Sequence, residues 1–140
     1  MLAQTDALFV SEEDLQLAGT ADDPLGALRG LAGGRLRFVA YKRGRKGGIL
    51  YDARERTFIE WPPVPRLSGD PTGAGDAFAG GFLAAVVAGK PLPEALDQGI
   101  VSASFALEDW GARGLINATR EEAQRRLREW LGSGAGAEDA

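Results

Sequence analysis

The sequence places an acidic residue directly behind a run of small ones, at Thr72-Gly73-Ala74-Gly75-Asp76. The uncharged stretch Ala77 to Ala88 follows and reads as a helix. Small residues at 73, 74 and 75 leave the backbone N–H groups uncovered, so an anion can approach them closely. The first helical turn adds a partial positive charge of about half a unit there. Asp76 then stands beside the bound anion with nothing opposite it. An acidic residue near a helix start also serves simple capping. A carboxylate next to an anion site is costly, however, unless it takes a proton from a nucleophile attacking a phosphate. This is not a Walker A loop, because no GxxxxGK[ST] pattern occurs in the chain.

The rest of the composition narrows the chemistry. The 140 residues contain no cysteine and no histidine. Disulfides, thiolate nucleophiles, Ser-His-Asp triads and the common zinc sites are therefore excluded. Acid–base work falls to Asp, Glu, Lys or Tyr. A net charge of −4 argues against nucleic acid as a partner. The hydrophobic fraction of 44% and charged fraction of 26% are ordinary for a globular domain. The N-terminus lacks the basic start and apolar core of a signal peptide, and Ala77 to Gly89 is too short to cross a bilayer. The expectation is a cytoplasmic protein with no membrane contact.

Elements that would position the Asp76 loop can be read in order. Ala7-Leu8-Phe9-Val10 is an apolar strand, and Ser11-Glu12-Glu13-Asp14 opens a helix through about Ala18 with a capping-box pattern. Asp22-Asp23-Pro24 starts a second helix striped with Leu25, Leu28 and Leu31 and stopped by Gly33-Gly34. Leu36 to Tyr41, Gly48 to Tyr51 and Thr57 to Trp61 read as strands separated by turns at 42–48 and 52–56. A proline-bearing loop, Trp61 to Pro71, leads into the glycine run. Gly89 caps the Asp76 helix, and Glu94 to Trp110 is another helix ended by Gly111-Ala112. Thr119-Arg120-Glu121-Glu122 caps a final helix, Glu121 to Leu131. The small, polar residues 132–140 are expected to be a disordered tail.

The string Asp70-x-Thr72-Gly73-Ala74-Gly75-Asp76-Ala77-Phe78, followed by Gly80-Gly81-Phe82, resembles the C-terminal signature of the PfkB, or ribokinase-like, carbohydrate and nucleoside kinases. The order of elements from about Ala7 to Leu131 is similar to the C-terminal half of that family. Gly44 and Gly47 match its Gly-x-x-Gly turn, which lies along the nucleotide. Ser11 and Asp14 stand where the family carries N-x-x-E, which helps order the magnesium and phosphate region. Ser11 replaces the Asn and Asp14 the Glu, and capping alone also accounts for both. The basic residues Lys42, Arg43, Arg45 and Lys46 would meet ATP phosphates, or simply form a solvated turn. Gly111-Ala112 falls where the family has a Gly-Ala pair close to the adenine pocket.

The resemblance implies an α/β, three-layer ribokinase-like fold, represented by its C-terminal portion over residues 1–131. Its sheet would be mainly parallel, flanked by helices, with an antiparallel excursion at residues 36 to 61. Asp76 would be the general base, and the N–H groups of Gly73, Ala74 and Gly75 the anion hole. Thr72 would shape the loop, Gly44 and Gly47 would lie against ATP, and Asp14 would support Mg2+ through water. The implied reaction is phosphorylation of a hydroxyl of a small sugar or nucleoside. The family's N-terminal half, with its lid and most substrate-reading residues, has no counterpart in this sequence. A competing reading is a non-catalytic fragment that binds nucleotide or a partner chain. Either reading leads to an expectation of self-association, or of a chain supplying the missing half.

Overall fold

The computed structural model of the chain describes residues 4–64, 70–111, 113–134 and 138–139. Two compact units are present: Met1–Pro63 with Glu138–Ala140, and Val64–Ala137.

The first unit is a sheet of β1 (Ala7–Ser11), β2 (Phe38–Lys42), β3 (Gly48–Asp52), β4 (Thr57–Trp61) and β5 (Glu138–Asp139), in that spatial order. Helices α1 (Glu12–Leu17) and α2 (Pro24–Leu31) join β1 to β2. A crossover of that length allows the two strands to run parallel, with Ala7 opposite Phe38 and Ser11 opposite Lys42. The remaining pairs, β2–β3, β3–β4 and β4–β5, are antiparallel. The sheet is therefore mixed rather than mainly parallel. The short turns after β2 and β3 leave no room for a crossover, so each strand must return beside its predecessor. The antiparallel excursion expected from the sequence makes up most of the sheet within this chain.

One sheet face carries Val10, Val39, Tyr41, Ile49 and Tyr51, packed with Leu15 of α1, Leu28 of α2 and Leu36. Leu36 itself is outside β2, because it closes a turn by exchanging backbone hydrogen bonds with Gly33 at 3.0 and 3.2 Å. The Asp52 side chain is fully buried at the end of β3 and is held by Arg37, with Nε–Oδ1 at 3.2 Å and Nη2–Oδ2 at 3.0 Å. Burial pushes the Asp52 carboxyl up. The Arg37 hydrogen bonds and the Arg54 N–H outweigh that and bring it below its ordinary value. Glu138 and Asp139 pair with Glu60 and Ile59, so these two residues are strand where a disordered tail is expected.

The second unit is built on a helical hairpin. α3 (Ala74–Val87) and α4 (Leu92–Ala106) are joined by a tight turn at Gly89, whose φ is +77°. Gly89 N–H donates to Val86 O and Lys90 N–H to Ala85 O, both at 3.0 Å, the Schellman closure that only a left-handed residue permits cheaply. The helices press together at glycines. A Cβ on Gly81 would lie 2.2 Å from Ser102 Oγ and 2.8 Å from Gln98 O, and one on Gly99 would meet the Phe78 ring at 3.0 Å. The short α5 (Arg113–Ile116) follows, in a stretch to which the sequence reading assigned no element. α6 (Arg120–Gly132), capped by Thr119, packs back on α4. Its buried Trp130 Nε1 donates to Asp97 Oδ1 at 2.8 Å, and the Arg126 guanidinium lies 3.7 Å over the Phe105 ring. No helix among the described residues is long and apolar enough to cross a membrane.

Candidate active site

In the second unit the glycine run is a turn that becomes a helix. The Asp70 carboxylate Oδ1 accepts from Thr72 N at 3.0 Å and Thr72 Oγ1 at 2.7 Å. Those bonds from the Thr72 hydroxyl and N–H hold the Asp70 carboxyl below its ordinary value, with the Gly111 backbone adding to the effect. Ala74 N–H closes onto Pro71 O at 3.1 Å. Between them Gly73 takes φ +82° and ψ −9°, the third position of a type II turn, which strongly favours glycine. Gly73 is also the N-cap of α3 and offers no side chain to the helix start.

The first four N–H groups of a helix have no intrahelical acceptor. Here these belong to Gly73, Ala74, Gly75 and Asp76, and the Ala74 group is occupied by Pro71. Among the described residues, the donors left for an anion are those of Gly73, Gly75 and Asp76. The Asp76 N–H is a donor that the sequence reading did not include, because the helix start at Ala74 is set by the Pro71 turn. Asp76 occupies the third helical position, with its side chain exposed to solvent. Phe78 and Phe82 are buried one turn apart with parallel rings, 6.5 Å between centroids, and fix the helix that carries this turn. Ala112, singled out in the sequence, and residues 65–69 of the proline-bearing loop lie outside the described residues.

In the first unit Asp14 and the glycine turn meet at the C-terminal ends of β1 and β2. Asp14 N–H donates to Ser11 Oγ at 3.2 Å. Its Oδ2 accepts from Ser11 N and Ser11 Oγ, each at 2.7 Å. The Ser11 backbone N–H, then its hydroxyl, lower the Asp14 carboxyl, with a smaller contribution from the Lys42 charge. Lys46 Nζ reaches Glu12 Oε1 at 3.4 Å and ties the basic turn to α1.

The two glycines of the turn differ in what requires them. Gly47 has φ +78° and ψ −135°, and a Cβ there would lie 2.0 Å from Trp61 O. Packing against the end of β4 requires a glycine there. Gly44 has φ +54°, but a Cβ there meets no atom within 4 Å, so the space beside it is open.

The described residues bring no three His, Cys, Asp or Glu side chains together. Asp14 has one oxygen committed to its cap. That donor set fits Mg2+ held chiefly by phosphate oxygens and water, the usual manner for this ion, with Asp14 in a supporting position.

The profile of the pfkB family carbohydrate kinases matches residues 1–119. The chain belongs to that family. A cytidine kinase of Thermococcus kodakarensis is 38% identical to this pfkB-family chain over 111 residues, covering 79% of the chain and 40% of the relative. The nucleoside kinase of Methanocaldococcus jannaschii, a solved archaeal member of the ribokinase family, superposes with a TM-score of 0.71 at 27% identity. That match covers 91% of this chain and 41% of the other. A ribokinase II type chain from E. coli, solved in complex with ATP and Mg2+, superposes with a TM-score of 0.70 at 28% identity, covering 91% and 41%. The fold is thus α/β and ribokinase-like, and the chain spans about two fifths of the length of these relatives.

Proposed function

We propose that this pfkB-family chain is the ATP-binding, proton-abstracting portion of a kinase that phosphorylates a hydroxyl of a small sugar or nucleoside. The observation that carries the reading is the start of α3: a left-handed Gly73 without a capping side chain, followed by Asp76 in the first turn. The N–H groups of Gly73, Gly75 and Asp76 converge on one anion, as helix starts do, and hold the phosphoryl group as negative charge spreads over its oxygens. The Asp76 carboxylate accepts the proton of the acceptor hydroxyl as the oxygen attacks. Asp70 keeps the turn rigid by fixing Thr72. On the first unit, Gly44 leaves room for the nucleotide to approach the backbone, and Lys42, Arg43 and Arg45 supply positive charge.

Mg2+ accompanying ATP supplies charge neutralisation between the β- and γ-phosphates, and Asp14 is the residue that would support it through water. Sugars and nucleosides are proposed as acceptors because the relatives are carbohydrate and nucleoside kinases. The coverage of about two fifths favours a second reading, a non-catalytic fragment that binds nucleotide or a partner chain and turns nothing over. A phosphoryl-transfer assay over a panel of sugars and nucleosides separates the two. It is run on the chain alone and on the chain completed with the N-terminal half of a relative. Turnover only in the completed protein supports both the catalytic assignment and the need for that half. No turnover in either sample, with ATP bound, supports the binding-only reading.

A further inference from the structure

Within the second unit, the Arg126 guanidinium is held from several directions, and its side chain is only 16% exposed. Nε donates to Glu122 Oε1 at 3.0 Å within α6, and Nη1 to Ser104 Oγ at 3.1 Å on α4. Nη2 donates to Glu108 Oε1 at 2.5 Å, just beyond the end of α4. Its Cζ sits 3.7 Å from the centroid of the Phe105 ring. Docking two helices needs none of this, because an apolar side chain fills such a space without the cost of desolvating a charge. A planar fork with donors aimed at three separate acceptors fixes position instead.

What the fork fixes is the exit from α4. That helix ends at Ala106, and Glu108 belongs to the connection leading to α5. In the hairpin a Cβ on Gly99 would meet the Phe78 ring and Phe78 O, each at 3.0 Å, so these two residues are level. The helices run antiparallel through the tight turn at Gly89. The start of α3, one turn before Phe78, is therefore level with the last turn of α4. Gly111, three residues past Glu108, turns at φ +59°, and its backbone hydrogen-bonds the Asp70 carboxylate that holds Thr72. Beyond it Gly114 presses on the end of α4, where a Cβ would lie 1.9 Å from Phe105 O. The segment carrying Gly111 is thus pinned at Glu108 by Arg126 and at Gly114 by Phe105.

We infer that Arg126 is a positioning residue for the phosphate-binding turn: by anchoring Glu108 it holds the connection after α4 where Gly111 fixes Asp70, and through Asp70 the Thr72–Gly73 turn ahead of α3. In that role Arg126 needs no contact with the nucleotide. This rests on the proposed phosphate site and adds a residue of α6 that sets its geometry. Lysine is a poor substitute, because one ammonium point charge cannot serve Ser104, Glu108 and Glu122 in a single plane. Methionine keeps an apolar stem against Phe105 but none of the direction. It strands no buried charge either, since Glu122 still bonds Arg125 and the Glu108 side chain, 32% exposed, can turn to water.

Hydrogen–deuterium exchange of the 140-residue chain, read by mass spectrometry, tests the link without ligand, and calorimetry with Mg-ATP tests its consequence. In Arg126→Met, exchange should quicken severalfold at residues 70–76, while β2, β3 and β4 keep the protection of the parent. Mg-ATP affinity should fall by about threefold to thirtyfold, the range that residues outside a binding site transmit. Arg126→Lys should fall between the parent and the methionine variant. Glu108→Ala should reproduce both effects, and the double variant should lose little more than either single one, because the two residues act as a unit. Should Arg126→Met fail to fold, Glu108→Ala and Arg126→Lys carry the same comparison. Unchanged exchange at 70–76, or an Mg-ATP affinity equal to that of the parent, would overturn the positioning role while leaving the phosphate site in place. Absence of any Mg-ATP binding by the parent would remove both.

Discussion

Gly47 and Gly44 sit three residues apart in one turn, and replacing each with alanine should give very different results. Both carry positive φ, which costs an L-residue about 1–2 kcal/mol in the left-handed region. For Gly44 that is the whole effect, since its Cβ would meet nothing within 4 Å. Gly47 adds a collision with backbone: its Cβ would lie 2.0 Å from Trp61 O and 2.8 Å from the Pro62 carbonyl carbon. Neither can rotate away as a side chain would, so the end of β4 must move, a displacement worth about 1–3 kcal/mol more. Its ψ of −135° also lies in a region reserved for glycine, costing about 1–3 kcal/mol rather than the smaller figure. Gly47→Ala should therefore cost about 2–6 kcal/mol, against about 1–2 kcal/mol for Gly44→Ala. With a urea m-value of about 1–3 kcal/mol/M, the Gly47 variant should unfold at a midpoint on the order of 1 M lower than the Gly44 variant. Far-UV circular dichroism along a urea titration measures it. Coincident midpoints at equal m-value would refute the packing argument. Gly44→Ala then becomes the informative variant for nucleotide contact, because it fills open space without disturbing β4.

Two further outcomes follow from surface chemistry. Hydrogen bonds from Arg125, then Arg126, lower the Glu122 carboxyl from an ordinary 4.5 to about 2 in the folded chain. A depressed folded pKa adds stability above the unfolded value and loses it as pH falls, so the urea midpoint should drop between about pH 4.5 and pH 2, and less so in Glu122→Gln. The strand β1 lies at one edge of the described sheet, and Leu17, Val87 and Ile116 are 89%, 87% and 78% exposed. The chain produced alone should self-associate, and a single monomeric boundary in sedimentation velocity, together with cooperative thermal unfolding, would contradict that.

Much of this fold is legible locally. Ser11 and Asp14 form the reciprocal cap that their spacing announces, Asp23 caps Gly26 ahead of Pro24, and Thr119 caps Glu122. β4 coincides with the alternating run Thr57 to Trp61. These features depend on residues three or four apart, which a sequence displays side by side. The start of α3 was harder to place: its apolar run suggested Ala77, whereas the Pro71–Ala74 turn moves it to Ala74 and brings in the Asp76 N–H. What could not be read is long-range. Nothing near Asp52 in sequence announces Arg37, nor does anything near Asp97 announce Trp130, because strand pairing and helix docking create those neighbours. Gly47 also has a packing reason that the sequence does not display, because strand pairing brings the Trp61 backbone against it. The distinction between Gly47 and Gly44 required coordinates on both sides of the turn.

The central claim is that Asp76 is the base of a phosphoryl transfer whose anion site is the start of α3. Its most direct test is Asp76→Asn in the protein completed with an N-terminal half, measured for both turnover and ATP affinity. A positioned general base contributes about 10²–10⁴ in rate. The asparagine variant should therefore lose at least about a hundredfold in kcat, while its ATP affinity stays equal or rises slightly as a negative charge beside the phosphates is removed. Full turnover by Asp76→Asn, with the same ATP affinity as the parent, would contradict the account.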